Sequence, residues 1–501
     1  MRRPNLLYVF PDQFRQMAMG FWQQEPFRSL LPGVADPVQT PNIDNFVKQA
    51  TVVSNAVSNC PLCSPHRGSL LTGMYPNKSG VPLNCHSGRL NSDLPKDAVC
   101  FTDVLAHSGY NVGYIGKWHL DFPTANDPEN AGQFVDPNNP AWDSYTEPDR
   151  RHGIDYWYGY GTFDEHKNPH YYDNQGKRHE PKEWSAKHEA DKAIAYLNNS
   201  ENQRDMQKPF ALFVSMNPPH SPYSSLNDCT SEDLNLYASS PNDTLLVRDN
   251  ADNKMPKSDA APFYFANVTG VDREFGRILT ALKDSGEWEN TLIVFTSDHG
   301  ETLCSHGLND AKNTLYNEAF NVPFLIKHPF QSDTQVSDVF LSSPDIMPTV
   351  LGLLGLEANT PKSLHGHNLA PYLTQQESQP ESQPNRHALY IKNVDGNTNA
   401  EGNVTSYFPI ARGIKTDHYS LTLTINRDYQ LESTLFFDNR NDPYQLNPLS
   451  FMPGATREKK LLTMLAFELE RIQDPWAELV ILPELLNYPS LTSNTCRNNH
   501  D

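Results

Sequence analysis

Short apolar runs, each closed by polar residues, recur along the first three quarters of the chain. Residues 6–10, 51–56, 110–115, 209–216, 291–297 and 322–327 are continuously hydrophobic or nearly so. Runs of this length without alternation predict central strands buried on both faces. Between them, residues 101–108, 189–197, 268–283 and 345–356 carry the spacing of helices; Val271, Phe275, Ile278, Leu279 and Leu282 fall on one stripe. Strands alternating with helices predict an α/β fold built on a mostly parallel sheet. Past the polar, proline-bearing stretch 374–385 the pattern changes. Short strands at 388–392, 410–415, 419–424 and 434–438, then an amphipathic helix at 461–472, predict a smaller antiparallel α+β unit. The expected division is 1–378 and 379–501.

The carboxyl ends of the predicted strands are where open α/β sheets keep their ligands. The first ends in Asp12 and Gln13, the third in Lys117 and His119, the fourth in His220 and the fifth in Asp298 and His299. Taken singly each has a plain reading: a turn cap for Asp12, solvated surface for Lys117 and His119, a structural histidine for His220. A hard oxygen ligand at two strand tips also suits a shared cation. The second strand leads to Cys63-Ser64-Pro65-His66-Arg67, which turns helical through Thr72 before Gly73. A thiol at a helix start feels the positive end of the dipole, and Arg67 adds a charge that does not titrate away. Cys60 and Cys63 could instead form a zinc half-site or redox pair, or Cys63 a buried free thiol. Zinc would need further paired ligands, whereas Cys85, Cys100, Cys229, Cys304 and Cys496 stand singly.

Composition narrows the classes. With 501 residues, 38% hydrophobic and 11% aromatic, the chain reads as globular with more than one core. A net charge of −20 argues against nucleic acid as a partner. Seven thinly spread cysteines do not form a disulfide framework. No apolar run reaches the roughly 18 residues of a membrane span, so no membrane partner is expected. The basic start Met1-Arg2-Arg3 precedes an apolar run too short for a signal peptide, which implies a cytoplasmic chain, or a periplasmic or secreted one if an export signal has been removed. Residues 122–184 are irregular and rich in aromatics and histidines, including 156–160, His166 and His170, suited to the faces and hydroxyls of a sugar. Nothing in the sequence sets an oligomeric state.

Cys63-Ser64-Pro65-His66-Arg67 followed by Leu71-Thr72-Gly73 resembles the signature of the type I sulfatases of the alkaline phosphatase superfamily, with His66 where serine is usual. The resemblance covers nearly the whole chain and is weakest at 122–205 and 225–262. It implies an alkaline-phosphatase-like fold and hydrolysis of a sulfate ester, and the aromatic and histidine-rich segment points to a sulfated carbohydrate over a small aryl or choline ester. It further implies that a formylglycine-generating enzyme oxidises Cys63 to Cα-formylglycine, whose hydrate attacks sulfur. Asp12, Gln13, Cys63, Asp298 and His299 would surround Ca2+; Arg67, Lys117 and Lys312 would add positive charge. His220 with Lys312 would assist the leaving alcohol, and His119 would take the proton that releases sulfate. Apart from the resemblance, the composition of 122–184 makes His166 and His170 candidates to touch substrate, the alternative being packing beneath the loop. A formylglycine-dependent phosphonate monoester or phosphodiester hydrolase, a phosphatase with unmodified Cys63 and a non-enzymatic glycan binder are the competing expectations.

Overall fold

A computed structural model describes residues 3–136, 139–374, 386–477 and 485. Cys496 and nearly all of the expected boundary at 374–385 lie outside the described residues. Ten strands make one sheet: β1 (Asn5–Val9), β2 (Thr51–Val57), β3 (Asn111–Lys117), β4 (Tyr156–Tyr160), β5 (Tyr171–Tyr172), β6 (Arg178–His179), β7 (Phe210–Ser215), β8 (Thr291–Thr296), β9 (Phe324–Lys327) and β10 (Gln335–Ser342). Their order is β10-β2-β9-β8-β1-β7-β3-β4-β5-β6. β1 lies between β7 and β8, parallel to both, with Leu7 opposite Leu212 and Ile293. β9 runs antiparallel between β2 and β8, so the sheet is mixed but its centre is parallel.

The unbroken apolar character of β1 has a direct cause in packing. Leu7 and Val9 enter one core with the helices Ser185–Leu197 and Ala261–Asp284, while Leu6 and Tyr8 enter the opposite core with Phe101–His107 and Ile346–Leu353. Both faces are covered, so neither parity of side chain can be polar. Because β1, β3, β7 and β8 are parallel, their carboxyl ends, and the polar residues just beyond them, share one edge of the sheet.

Four strands depart from the sequence expectation, β10 and the group β4 to β6. Among the described residues β10 pairs only with β2; it carries a register shift between Ser337 and Phe340 and exposes Val336 and Asp338. An edge strand of that kind lacks the continuous apolar signal. β4 falls inside 122–184, expected to be irregular, yet pairs in parallel with β3. Trp157, Tyr158 and Tyr160 are buried, and Trp157 stacks on Tyr114 with centroids 5.5 Å apart. These rings are core, not a sugar platform. Among the described residues no helix is long and apolar enough to cross a membrane.

The remaining strands, β11 (His387–Asp395), β12 (Tyr407–Thr416), β13 (Tyr419–Ile425) and β14 (Leu431–Asp438), form an antiparallel sheet in sequence order. The helix Thr456–Arg471 packs Leu461, Leu465 and Leu469 into its core. Lys415 of β12 is buried where this sheet meets the large one, and its Nζ donates to the amide oxygens of Asn317 and Asn321, the latter at 2.7 Å. Burial pushes the Lys415 ammonium down to about 7, with Glu318 opposing. An unfolded lysine keeps its proton to about 10.4, so between these values the unfolded chain binds the extra proton and stability rises with pH. Lys415→Met removes this dependence: denaturant melts between about pH 7 and about pH 10 are expected to lose up to about 1.4 kcal/mol per pH unit of slope. An unchanged slope would show that Lys415 stays charged when folded.

Candidate active site

Cys63 is the first residue of the helix Cys63–Thr72, entered from an extended Leu62 and closed by Gly73 at φ 66°. The helix start therefore turns its positive dipole end to the tips of the central strands, although Asn84 Oδ1 already accepts from the Ser64 N–H at 3.0 Å. The Cys63 Sγ is 3.2 Å from Lys312 Nζ, 3.3 Å from His299 Nε2 and 3.7 Å from Asp12 Oδ1. Burial alone would raise the thiol's pKa; Lys312, Lys117 and His299 instead hold it well below the ordinary value. Cys60 belongs to the core of the small sheet, where burial pushes its thiol up to about 12, so the two cysteines do not act as a pair.

One helical turn on, Arg67 is almost fully enclosed. Its Nη2 is 3.1 Å from Asp12 Oδ2 and 3.2 Å from Asp298 Oδ2, and its Nη1 donates to the Lys117 carbonyl and the Ser215 hydroxyl, both at 2.7 Å. A single guanidinium thus ties together the ends of β1, β3, β7 and β8. The close fit also needs Gly116 at the end of β3: its φ is 101°, and a Cβ there would lie 2.0 Å from the Ser215 carbonyl oxygen.

Asp12, Cys63, Asp298 and His299 are all buried and bring their ligand atoms within 4.8 Å of one another. Burial raises the Asp12 pKa and Cys63 adds to this, but Lys117, His220 and Arg67 together hold the carboxyl far below its usual range. Asp298 is pushed up by burial and by the Asp12 charge. Two enclosed carboxylates, one of them short of positive charge, fit a cation. The Gln13 backbone N–H donates to Asp298 Oδ1 at 3.1 Å, and its side-chain oxygen accepts from Lys312 at 3.1 Å. The Gln13 amide nitrogen donates to buried Glu301.

The other expected residues surround this group. Lys117 Nζ is 2.8 Å from Asp12 Oδ2 and donates to Asn217 Oδ1 at 3.3 Å. His119, at φ 52°, places Nε2 3.2 Å from the Cys85 carbonyl, and its ring interacts with Cys63; burial lowers its pKa. His220 Nε2 lies 3.0 Å from Lys312 Nζ, while Nδ1 donates to the Ser221 carbonyl at 2.7 Å and sits 3.3 Å from Asp164 Oδ1. Burial, Lys117 and Lys312 depress the His220 pKa, but Asp12 and Asp164 outweigh them and bring it to about 9. His166 is not on the cleft wall. It is buried, with Nε2 donating to the His220 carbonyl at 2.8 Å, so it supports the loop that carries His220. His170 does reach the cleft and pairs with Asp143 at 2.8 Å. Asp164 was missed by sequence reasoning; its only signal is a carboxylate four residues past β4, the strand that was itself not read.

These groups lie at one end of a cleft of about 830 Å³. Cys63, His119, His220 and Lys312 line the charged end; Trp142, Phe163, Tyr172 and Arg178 line the remainder.

Comparison with known proteins gives a consistent picture. The family model described as Sulfatase matches residues 4–356, and that described as N-sulphoglucosamine sulphohydrolase, C-terminal, matches 304–474. The chain is 53% identical over 486 residues to an endo-4-O-sulfatase of Bacteroides thetaiotaomicron, covering 97% of this chain and 95% of that protein. It is 32% identical to an ulvan-active sulfatase of Formosa agariphila, over 90% of this chain and 78% of that one. A solved Bacteroides thetaiotaomicron structure from work on the metabolism of multiple glycosaminoglycans superposes with a TM-score of 0.94 at 53% identity, covering 97% of this chain and all of that one.

The Asp164 contact has a measurable consequence. Asp164→Asn is expected to lower the His220 pKa from about 9 towards the ordinary imidazole value near 6.5, read by NMR titration of the ring. No change would mean that Asp164 does not hold the proton there.

Proposed function

This chain belongs to the sulfatase family and is a sulfuric ester hydrolase, and from that footing we propose that it removes 4-O-sulfate groups from within glycosaminoglycan chains. Two things support this: the relation at 53% identity to an endo-4-O-sulfatase, and a cleft whose charged end would take an anion while its aromatic wall would take sugar rings. The observation that carries the reading is Cys63 at a helix start, 3.2 Å from the Lys312 ammonium, at the charged end of that cleft.

In this proposal a formylglycine-generating enzyme oxidises Cys63 to Cα-formylglycine, and the resident cation is Ca2+. When present, the aldehyde hydrate supplies an oxygen nucleophile and the calcium ion supplies Lewis-acid charge for the sulfate oxygens. Asp12, Asp298 and His299 would hold the ion, with the Gln13 oxygen at the edge of the set. Arg67 has its guanidinium fully committed to the strand ends, so its part is to position the carboxylates, not to touch the ester. Lys117 and Lys312 face the position of the sulfate with preorganised positive charge. His220, protonated at neutral pH because its pKa lies near 9, can give a proton to the departing sugar oxygen. His119, kept neutral by burial, can accept one from the nucleophile side. Environments that push two histidines in opposite directions separate the acid from the base. The cut between 1–378 as catalytic unit and 379–501 as subdomain remains part of this proposal.

The test is release of inorganic sulfate by protein coexpressed with a formylglycine-generating enzyme, on glycosaminoglycan oligosaccharides sulfated at O4 or at O6. Release from the O4 series is expected, with Cys63→Ala reducing the rate by at least about 1,000-fold. Faster turnover of a phosphonate monoester, or parent-level release by Cys63→Ala, would overturn the reading.

A further inference from the structure

We infer that Arg178 forms a second anion subsite of the cleft, which binds the carboxylate of the uronic acid next to the sulfated sugar. The inference rests on the proposed glycosaminoglycan substrate and adds to it a recognition element away from the sulfate.

The sequence gives Arg178 no distinction, since it lies in a polar stretch of the long irregular segment. The fold brings it to the cleft by a small hairpin: β6 pairs antiparallel with β5, which sets Arg178 directly across from Tyr172. Both residues line the cleft that contains Cys63. Arg178 Nε lies 3.0 Å from Glu180 Oε1, and Tyr172 is its neighbour across the hairpin. The Glu180 contact holds the side chain from one side. A guanidinium has five N–H donors, so a contact through Nε leaves the two terminal nitrogens to face outward, and the side chain is 49% exposed. A free edge of that geometry matches the two oxygens of a carboxylate.

The other basic side chains on the cleft wall are already engaged. Lys117, Lys312, His119 and His220 cluster at the sulfate end, and His170 is paired with Asp143. Arg178 is the remaining cation lining the cleft among the described residues. Its sign runs against the molecule as a whole, which carries a net charge of −20. A polyanionic chain meets repulsion from such a surface unless cations stand where its charges fall, because screening leaves only groups within about 8–10 Å effective. Glycosaminoglycans that contain uronic acid repeat a carboxylate on every second sugar, so a 4-O-sulfate at the charged end places a carboxylate one ring away. Glu180 limits the site to a ligand able to compete for the exposed edge of the guanidinium, as a bidentate carboxylate can.

The test compares an O4-sulfated, uronate-containing oligosaccharide with the same compound after its carboxyl groups have been reduced to alcohols. For the parent enzyme, carboxyl reduction is expected to lower kcat/KM about tenfold or more, as loss of one charged hydrogen-bonded contact does. In Arg178→Gln the intact and reduced compounds should be turned over with nearly equal kcat/KM, because the partner of the carboxylate is gone. Arg178→Lys should keep part of the discrimination. A ratio in Arg178→Gln equal to the parent's would overturn the subsite. So would a parent enzyme that cleaves both compounds equally well. Failure of the parent to release sulfate from either compound would instead count against the proposed substrate itself.

Discussion

Two carboxylates enclosed a few ångströms apart are the constraint around which the molecule is organised. Asp12 and Asp298 follow β1 and β8, neighbouring parallel strands that end at the same level, so the spacing of the sheet forces the pair together. Unpaired buried charge costs several kcal/mol per ion, and the fold answers with Arg67 and Lys117, both almost fully buried and in contact with Asp12. Arg67 in turn is delivered by the helix that begins at Cys63. The position of Cys63 is thereby tied to the same ion cluster that would hold the cation. A change at any member therefore disturbs charge balance as well as contact geometry.

The site works by local charge against an opposing background. The chain is strongly acidic overall, yet Lys312, Lys117, His220 and Arg67 converge on a few atoms around Cys63 and Asp12. Low-dielectric surroundings make these charges effective and also explain the contrast between the two histidines. His119 is desolvated next to other cations and loses proton affinity, whereas His220 gains it from Asp12 and Asp164. The same protein environment thus shifts two histidines in opposite directions.

Much of this was legible in the chain, because buried parallel strands cannot hide their apolar runs. The polar residues that close those runs, Asp12, Lys117, His220 and Asp298, were correctly placed at strand tips. Gly73 stopped the helix in the left-handed conformation its position suggested. The misses share a physical origin in mixed or edge environments. β10 is polar on its open side, and β4 is an aromatic strand within a polar segment, so neither shows clean periodicity. Without β4 the loop after it had no anchor. Asp164 therefore went unseen, and His166 could not be told from a group on the cleft wall. A histidine that supports another through its backbone carbonyl leaves no mark in sequence spacing.

The most direct measurement is the metal content and thermal stability of the protein before and after chelation, with Asp298→Asn alongside. If the paired carboxylates exist to hold a cation, the purified protein retains about one calcium ion per chain. Chelation then lowers its Tm, added calcium restores it, and Asp298→Asn neither binds the ion nor responds. A parent protein that binds no divalent cation, with a Tm indifferent to both chelator and calcium, would contradict the account.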